Sequence, residues 1–219
     1  MPARAPRDLT ALPYAARLKP FDGELDREGD HEWVHFDGGT FEDADARGSR
    51  FGESAFSSVT FAGGRYQRSR FDDVWLHAVR VVGSSLAETT WLDGEVRDSV
   101  LAGAQLYGAQ LHRTLFHRCK FDSVNLRTAT LRHVTFADCL LRDVDFGGAT
   151  LTGVSFPGST LDRARFDKAT LSGVDLRRAE GLGIASGLED LKGATISPVQ
   201  LLDLAPALAR VVGLTVQDA

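Results

Sequence analysis

A repeat of five residues runs through the middle of this chain and constrains its fold more than any other feature. From residue 114 to Leu176 the sequence divides into blocks of five, such as VTFAD, CLLRD, VDFGG and ATLTG. The third residue of each block is Leu or Phe, and the first is Ala, Val, Cys, Ser or Thr. Neither an α-helix, with its period of 3.6, nor a flat strand, with its period of 2, produces this spacing. An unbroken fixed period indicates a repeat architecture.

The same register extends upstream to Phe36 without an insertion. A small residue stands two places before almost every large apolar one, and among the large positions only Ala46 is small. We call the large position central. The upstream central residues are Phe36, Phe41, Ala46, Phe51, Phe56, Phe61, Tyr66, Phe71, Leu76, Val81, Leu86, Trp91, Val96, Leu101, Leu106 and Leu111.

These blocks resemble the pentapeptide-repeat family, whose loose pattern is A-(D/N)-L-x-x. The resemblance covers residues 34 to 180. It implies an all-β solenoid, a right-handed quadrilateral β-helix in which each block makes one side and four blocks make one coil. Central and small residues then both point inward, and a short C-terminal α-helix caps the end. In the first half of the array Phe often replaces Leu, and the small residue is Ser or Gly.

A coil of twenty residues is also supported by the sequence itself. Leu recurs at positions 111, 131, 151, 171 and 191, and Phe at 116, 136 and 156. Coils stacked at the spacing of a β-sheet, about 4.8 Å, turn each set into an inner ladder of like side chains. On the outside, Asp122, Arg142 and Asp162 are expected to stack with alternating charge. Arg118 is expected beside Asp138.

Composition places the chain among ordinary cytoplasmic proteins. It contains 43% hydrophobic residues and no apolar run of eighteen, so no membrane span is expected. The N-terminus lacks the apolar core of a secretory signal. Cys119 and Cys139 both occupy the small inner position one coil apart. We expect free, buried thiols there, because parallel side chains suit the disulfide dihedral poorly.

The first 33 residues precede the repeat and are interpreted as a lead-in that covers the first coil. An open β-helix end is an exposed sheet edge and needs such a cover. The run from Asp22 to Glu32 alternates acidic residues with others and lacks apolar periodicity. Two interpretations stay open for it: a solvated cap that prevents edge-to-edge association, or a contact surface for a basic partner.

Residues 181 to 219 form the third part, a helical cap and dimerisation module. Residues 181 to 193 break the phase and read as a loop, after which Leu191 and Ile196 recover it. Ser197, Pro198 and Gln200 carry the signals of a helix start, including a capping box. Pro206 is expected to break or kink this helix and start a second turn. Gly213 is expected to end it, with a short strand over 214 to 216.

The C-terminal part carries more apolar surface than a plain cap requires. Its G-A-x-I sequence, the following Gln and the closing G-L-x-V resemble the dimerisation module of quinolone-resistance pentapeptide proteins. The resemblance implies a homodimer, and a monomer with a plain cap is the alternative. The residues expected to face a second copy are Leu201, Leu204, Leu208 and Val212.

The sequence contains no C-x-x-C, G-x-S-x-G or P-loop pattern. The register places five histidines outside the coil, at positions 35, 77, 112, 117 and 133. We therefore expect no catalytic, cofactor or metal site, and no enzyme. Trp75 and Tyr107 flank central positions and are expected to be exposed, either as partner anchors or as ordinary cover of a side wall.

Charge is distributed unevenly along the chain. Residues 21 to 100 contain 17 acidic and 8 basic residues, whereas residues 101 to 180 contain 8 acidic and 11 basic residues. The rod is therefore expected to be acidic near its N-terminus and mildly basic toward the dimerising end. A basic second half disagrees with mimicry of DNA along the whole rod.

The sequence supports two candidate functions, and a third is disfavoured. The first is a non-enzymatic adaptor or scaffold for an unspecified macromolecular partner. The second rests on the quinolone-resistance resemblance, which implies a DNA-mimicking modulator or protector of DNA gyrase, a type II topoisomerase. Direct nucleic-acid binding is disfavoured by the low pI and the interspersed acids. Its contact residues would be Arg113, Arg118, Lys120, Arg127 and Arg132.

Overall fold

The computed structural model describes residues 6 to 216. The chain winds into a parallel β-solenoid of about eight turns, followed by one C-terminal helix. Strands in successive coils pair in parallel with partners twenty residues apart, for example Leu111 with Leu131 and Leu131 with Leu151. The fold expected from the five-residue period is therefore confirmed.

Four walls surround a closed core, and we number them in the order in which one coil visits them. The first wall is a seven-stranded sheet of Lys19–Pro20, Val34–Asp37, Ala55–Ser57, Trp75–His77, Glu95–Arg97, Leu115–His117 and Thr135–Ala137, continued by the pair Val174–Asp175 and Ala194–Thr195. The second wall is an eight-stranded sheet of Thr40–Glu42, Thr60–Ala62, Arg80–Val82, Val100–Ala102, Lys120–Asp122, Leu140–Arg142, Thr160–Arg165 and Gly181–Ser186.

The other two walls complete the coil. The third wall is held by single β-bridges that join Asp45, Arg65, Ser85, Gln105, Asn125, Asp145 and Arg165 in sequence. The fourth wall is an eight-stranded sheet of Asp30–Glu32, Arg50–Gly52, Arg70–Asp72, Thr90–Leu92, Gln110–His112, Thr130–Arg132, Thr150–Thr152 and Thr170–Ser172. Short 3₁₀ turns span Leu9–Ala11, Ala15–Arg17 and Leu188–Asp190, and the α-helix spans Pro198–Val211.

Central side chains fill the interior as ladders, as the sequence predicts. Phe136 stacks between Phe116 and Phe156, with ring centroids 5.1 Å apart on both sides and nearly parallel planes. Phe71 stacks between Phe51 and Trp91 at 5.0 and 4.1 Å. Stacked rings of this kind add about 0.5–1.5 kcal/mol per pair beyond the burial of their area.

The corners between walls use the left-handed backbone region. Residues two places after a central position adopt it even when they carry a side chain, as Asp98 (φ 50°) and His133 (φ 54°) do. Such a conformation is uncommon outside glycine, so the repeated corner hydrogen bonds must hold it. At Gly187 (φ 78°) glycine is required for space as well, since a Cβ there would lie 2.3 Å from the carbonyl carbon of Phe166.

The coiled region begins earlier than residue 34, where the sequence pattern begins. Lys19–Pro20 pairs with Val34–His35, and Asp30–Glu32 pairs with the next coil of the fourth wall. Phe21, Leu25 and His31 point toward the core, and the Phe21 ring stacks on Phe36 at 4.3 Å. The acidic run from 22 to 32 is therefore part of the first coil itself. Residues 6 to 18 do not cover the open end, but lie along the first wall.

The C-terminal part differs from the sequence prediction in three places. Residues 181 to 186 form a strand rather than a loop, because one extra residue shifts the pairing so that Thr160 faces Gly181. The helix runs unbroken through Pro206, whose missing N–H falls on the exposed side of the helix. Residues 214 to 216 form no strand, because the helix end turns at Gly213 (φ 80°) and the amide of Leu214 bonds the carbonyl of Ala209 at 2.8 Å.

Candidate interaction surfaces

Carboxylates on the outer walls are joined to arginines one coil away. Arg118 donates two hydrogen bonds to Asp98, at 2.7 and 3.0 Å, and this hydrogen bonding holds the pKa of Asp98 below its usual value. Further pairs follow the same twenty-residue spacing: Arg113 with Asp93, Arg163 with Asp143, Arg142 with Asp162, and Arg68 with Glu88. The expected ladder of Asp122, Arg142 and Asp162 is present in register. The walls are thus charged but largely neutralised, and exposed pairs of this kind contribute about 0–1 kcal/mol each.

The basic residues considered for nucleic-acid binding do not form one patch. Arg118 lies on the first wall, Lys120 on the second, Arg127 on the third and Arg132 on the fourth. Arg127 is also paired with Asp145 at 3.2 Å. A duplex contacting one side of the rod would meet only a fraction of this set. These residues therefore do not form the contiguous basic surface that direct binding of a nucleic acid would require.

Histidines at the five predicted positions all stand outside the core, and none of them is buried. His77 lies 3.4 Å from Asp98, and His117 lies 3.5 Å from Asp138. Among residues 6 to 216, no group of three or more His, Cys, Asp or Glu residues is arranged to hold a metal ion. His31 was missed by the sequence reasoning. It is five residues before Phe36, so the register itself is the signal that could have found it.

His31 lies on the inner side of the first coil, where its ring stacks on Phe51 at 4.9 Å. Burial lowers its pKa, because the charged imidazolium is poorly solvated there. The Nε2 atom has no hydrogen-bond partner. The residue therefore acts as a neutral filler at the N-terminal end of the core.

Both cysteines are free and buried, as expected. The amide of Cys119 lies 3.4 Å from the sulfur of Cys139. The hydrogen bond to Cys119, followed by burial, raises the pKa of the Cys139 thiol. A thiol that stays protonated is a poor nucleophile and a poor metal ligand. We therefore interpret the two cysteines as small side chains that pack the core.

Tyr107 is exposed, whereas the expectation for Trp75 is wrong. Tyr107 is 43% exposed and lines a groove of about 420 Å³ on the third wall, together with Arg47, Gln67 and Ala87. Trp75 is only 4% exposed, although its position points outward. It is covered by residues 6 to 18, which we call the strap. A contact 68 residues away in the chain cannot be read from a five-residue period.

The strap fills a cleft on the first wall that successive coils build. Ala55, Trp75 and Glu95 are aligned outward neighbours in the sheet. Leu12 and Tyr14 pack against Ala55 and Trp75 in a second, separate hydrophobic cluster. Arg7 bonds Glu95 through its amide at 2.5 Å and its Nε at 3.0 Å. The Glu95 carboxylate is buried by this contact, and a buried carboxylate needs such a partner.

The C-terminal helix presents a divided surface. Ser197 and Gln200 form the predicted capping box, and the Gln200 amide also donates to the carbonyls of Leu176 and Ala179 at 2.8 and 3.0 Å. These bonds seat the helix on the last coil. On the side away from the coil several apolar residues are exposed: Val199, Leu201, Leu202, Val211, Val212, Leu214 and Val216.

The four residues proposed from sequence as dimer contacts do not share one environment. Leu201 and Val212 are exposed, and Leu208 is half-buried. Leu204 is buried within its own chain, since it lies on the helix face that packs toward the turn Leu188–Asp190. It is therefore not available to a second copy. The sequence predicts an apolar helix, but it does not show which face of that helix packs against the last coil.

Within the described residues, no helix is long and apolar enough to span a bilayer.

The comparisons with known proteins agree with the architecture. Residues 97–180 match the family model described as pentapeptide repeat region. A trypsin-treated variant of QnrB1, described as a plasmid-mediated fluoroquinolone resistance protein, has a TM-score of 0.58 at 19% identity, over 90% of this chain and 95% of that chain. A second trypsin-treated variant has a TM-score of 0.52 at 18% identity, over 86% and 100%. No curated protein matches the sequence. These likenesses show the fold.

Proposed function

Since this chain carries a pentapeptide repeat region within a longer solenoid, we propose that it is a non-enzymatic binding protein. It serves as an adaptor or scaffold that presents the outside of a rigid rod to a macromolecular partner. The observation that carries this proposal is the closed interior. The ladders of stacked side chains leave only small apolar voids of about 20 Å³ between them. A substrate-sized site is usually a cleft of about 300–1,000 Å³, so the interior holds none. The groove beside Tyr107 reaches that volume, but it is an open indentation of the third wall and not an enclosed cleft.

The outer walls supply the contact surfaces in this proposal. Each wall repeats its side chains at the spacing of one coil, which gives a partner a regular array to bind. Walls of mixed, paired charge favour a partner recognised by shape and individual contacts over a partner recognised by bulk charge. The groove beside Tyr107 indents the third wall, and an exposed aromatic is a common anchor at interfaces.

Affinity capture with matched surface variants tests the binding function. The tagged chain is compared with Tyr107→Ala on the third wall and Thr150→Ala on the fourth wall, two exposed substitutions that leave the core intact. A partner that binds the third wall is lost with the first variant and kept with the second. The proposal is rejected if no stoichiometric partner is recovered with the wild-type chain under conditions that preserve its fold.

We further propose a homodimer through the apolar side of the C-terminal helix. Val199, Leu202 and Val212 are each at least 67% exposed, and they lie on a helix that is already anchored on its other side. An apolar surface of this extent next to a structured helix favours association with a second copy. Of the four dimer contacts predicted from the sequence, the proposed interface includes Leu201, Leu208 and Val212 and excludes Leu204.

A second candidate function is the modulation or protection of DNA gyrase, and two observations favour it. The fold likeness to the QnrB1 variants extends over nearly the whole chain. In addition, outward acids exceed outward bases in the first coils of the fourth wall. The acids are Asp30, Glu32 and Asp72, with Glu53 and Asp73 at the corner shared with the first wall, and the bases are Arg50 and Arg70. A row of carboxylates can replace phosphates in a basic groove. The arginine pairing along the other ladders weakens this mimicry, so it ranks second.

A supercoiling assay decides the gyrase candidate. Purified chain at micromolar concentration should alter DNA supercoiling by gyrase or relieve its inhibition by a quinolone. The double variant Asp30→Lys and Glu32→Lys should lose this effect, because it reverses the acidic end of the fourth wall. Lys168→Glu, at a corner of the third wall, is the matched control and should retain it. An absence of any effect of the wild-type chain removes this candidate and leaves the general binding function standing.

A further inference from the structure

We propose that the first-wall cleft is a recognition site for a basic peptide segment, and that the strap is an internal segment occupying it. The partner segment would resemble the strap in chemistry, with an arginine at each end and a leucine and an aromatic residue between them. This site is separate from the C-terminal helix and from the groove beside Tyr107.

The cleft is lined by an apolar patch. Ala55 is the small member of its row, and Leu12 and Tyr14 pack in one buried cluster with Ala55 and Trp75. The Trp75 indole donates to the carbonyl of Arg7 at 3.0 Å. Arg97 bonds the same carbonyl and also Asp8, at 2.9 Å. Two side chains of the wall therefore hold the backbone of the strap, which is a way to bind a peptide whatever its side chains.

The electrostatics of the cleft select a basic occupant. Glu95 lies at its floor with a side chain only 1% exposed, and Arg7 meets it with two hydrogen bonds. Asp73 lies 3.8 Å from the same guanidinium. At the other end of the strap, Arg17 lies 3.9 Å from Glu53 and 5.2 Å from the ring centre of Trp33. The wall thus presents carboxylates at both ends of a central apolar patch.

The strap fits this cleft less completely than the inner ladders fit each other. The Tyr14 hydroxyl is buried without a hydrogen-bond partner, and so is Nε of Arg97. An unsatisfied buried polar atom weakens the contact that buries it. The strap has no strand of its own between residues 6 and 18 and holds only two 3₁₀ turns, so no sheet hydrogen bonds tie it down. A segment that pairs with Nε of Arg97 and buries no unpaired hydroxyl would displace the strap.

A labelled synthetic peptide with the sequence of residues 6 to 18 provides the direct test on the full-length chain. A tethered segment has an effective concentration of the order of mM, so the intact strap suppresses binding of a second copy. In the Arg7→Ala chain the tethered segment is weakened, and the peptide should bind at least about tenfold more tightly than to the wild-type chain. Arg17→Ala, an exposed arginine of the same strap, is the matched control and should give a smaller gain.

Two further arms identify the recognition chemistry. A peptide that carries alanine in place of Arg7 should lose binding to the Arg7→Ala chain. Adding Glu95→Gln to that chain should remove the preference of the site for the arginine peptide over the alanine peptide. Equal binding of both peptides, or equal affinity of the wild-type and Arg7→Ala chains, would overturn the proposal.

Native-state hydrogen exchange keeps the test informative if a variant fails to fold. In the unmodified chain, the amides of Ala11 and Arg17, which bond within the strap, should exchange by a local opening well before coil amides such as that of Phe136. Exchange of the strap only together with the whole solenoid would show that it is a fixed part of the fold and would overturn the proposal. So would a concentration-dependent dimer abolished by Arg7→Ala, because the strap would then be exchanged between copies.

Discussion

Arg7 and Glu95 are 88 residues apart in the chain and are joined by two hydrogen bonds on the outside of the solenoid. The Glu95 carboxylate lies at an outward position of a β-strand, yet it is buried. This pair links the non-repeating N-terminus to the repeating body. Its burial makes it far more sensitive to substitution than the exposed arginine–aspartate pairs on the same walls.

Removal of one partner of this pair should be worse than removal of both. Arg7→Ala leaves an uncompensated carboxylate under the strap, and the loss of one partner from a buried ion pair costs about 3–5 kcal/mol. The double variant Arg7→Ala and Glu95→Ala should be milder, because the buried charge goes with its partner. Limited trypsin digestion after Arg17 reads out the docking of the strap. Cleavage should be fastest in Arg7→Ala and slower in the double variant, and the reverse order would contradict this account of the cleft.

The aromatic ladder makes a quantitative prediction about the core. Phe136 is fully buried between Phe116 and Phe156 and meets Phe121 edge-on, so Phe136→Ala removes three ring contacts and leaves a cavity. The free energy of unfolding should fall by about 3–5 kcal/mol in urea denaturation. Thr150→Ala, an exposed strand position, should change it by less than about 0.5 kcal/mol. Similar losses for the two variants would mean that the ladder contributes little.

The ladder pair Arg118–Asp98 predicts how stability depends on pH. Hydrogen bonding to Arg118 lowers the folded-state pKa of Asp98, so the folded protein holds this carboxylate ionised more readily than the unfolded chain does. The stabilisation is therefore present above the unfolded pKa, about 3.9, and is lost as the pH falls through the lower folded value. Thermal unfolding between pH 2 and 6 should show a smaller decline in Tm for Asp98→Asn. Asp203→Asn on the helix is the control, and an equal decline in all three chains would refute the prediction.

The exposed side of the C-terminal helix predicts a change of oligomeric state. Leu202 is 74% exposed in the single chain, so Leu202→Glu should leave the fold intact while it places a charge in the proposed dimer contact. Light scattering should then find a monomer where the wild-type chain is a dimer. Asp203→Lys, at the neighbouring exposed position, serves as the control for a change of charge alone. A wild-type chain that is monomeric at high micromolar concentration would remove the dimer from the proposed function.

Much of the fold follows from the sequence because its main contacts repeat. The period of five assigns Phe136 to the core and Asp122, Arg142 and Asp162 to one outer ladder, and twenty residues per coil place each beside its copy. The start of the helix is also local, since Ser197 and Gln200 satisfy each other three residues apart. Interactions of this kind depend on spacing along the chain, and a sequence displays spacing directly.

Only the tertiary structure decided how the non-repeating ends dock on the repeating body. The five-residue register places Trp75 on the outside of the solenoid, and the strap then buries it there. The sequence shows that the C-terminal helix is apolar, but the packing of that helix on the last coil determines that Leu204 is buried. In both cases the partner is distant in sequence and follows no period. Docking of this sort depends on the shape and charge of a finished surface, and those exist only once the coils have stacked.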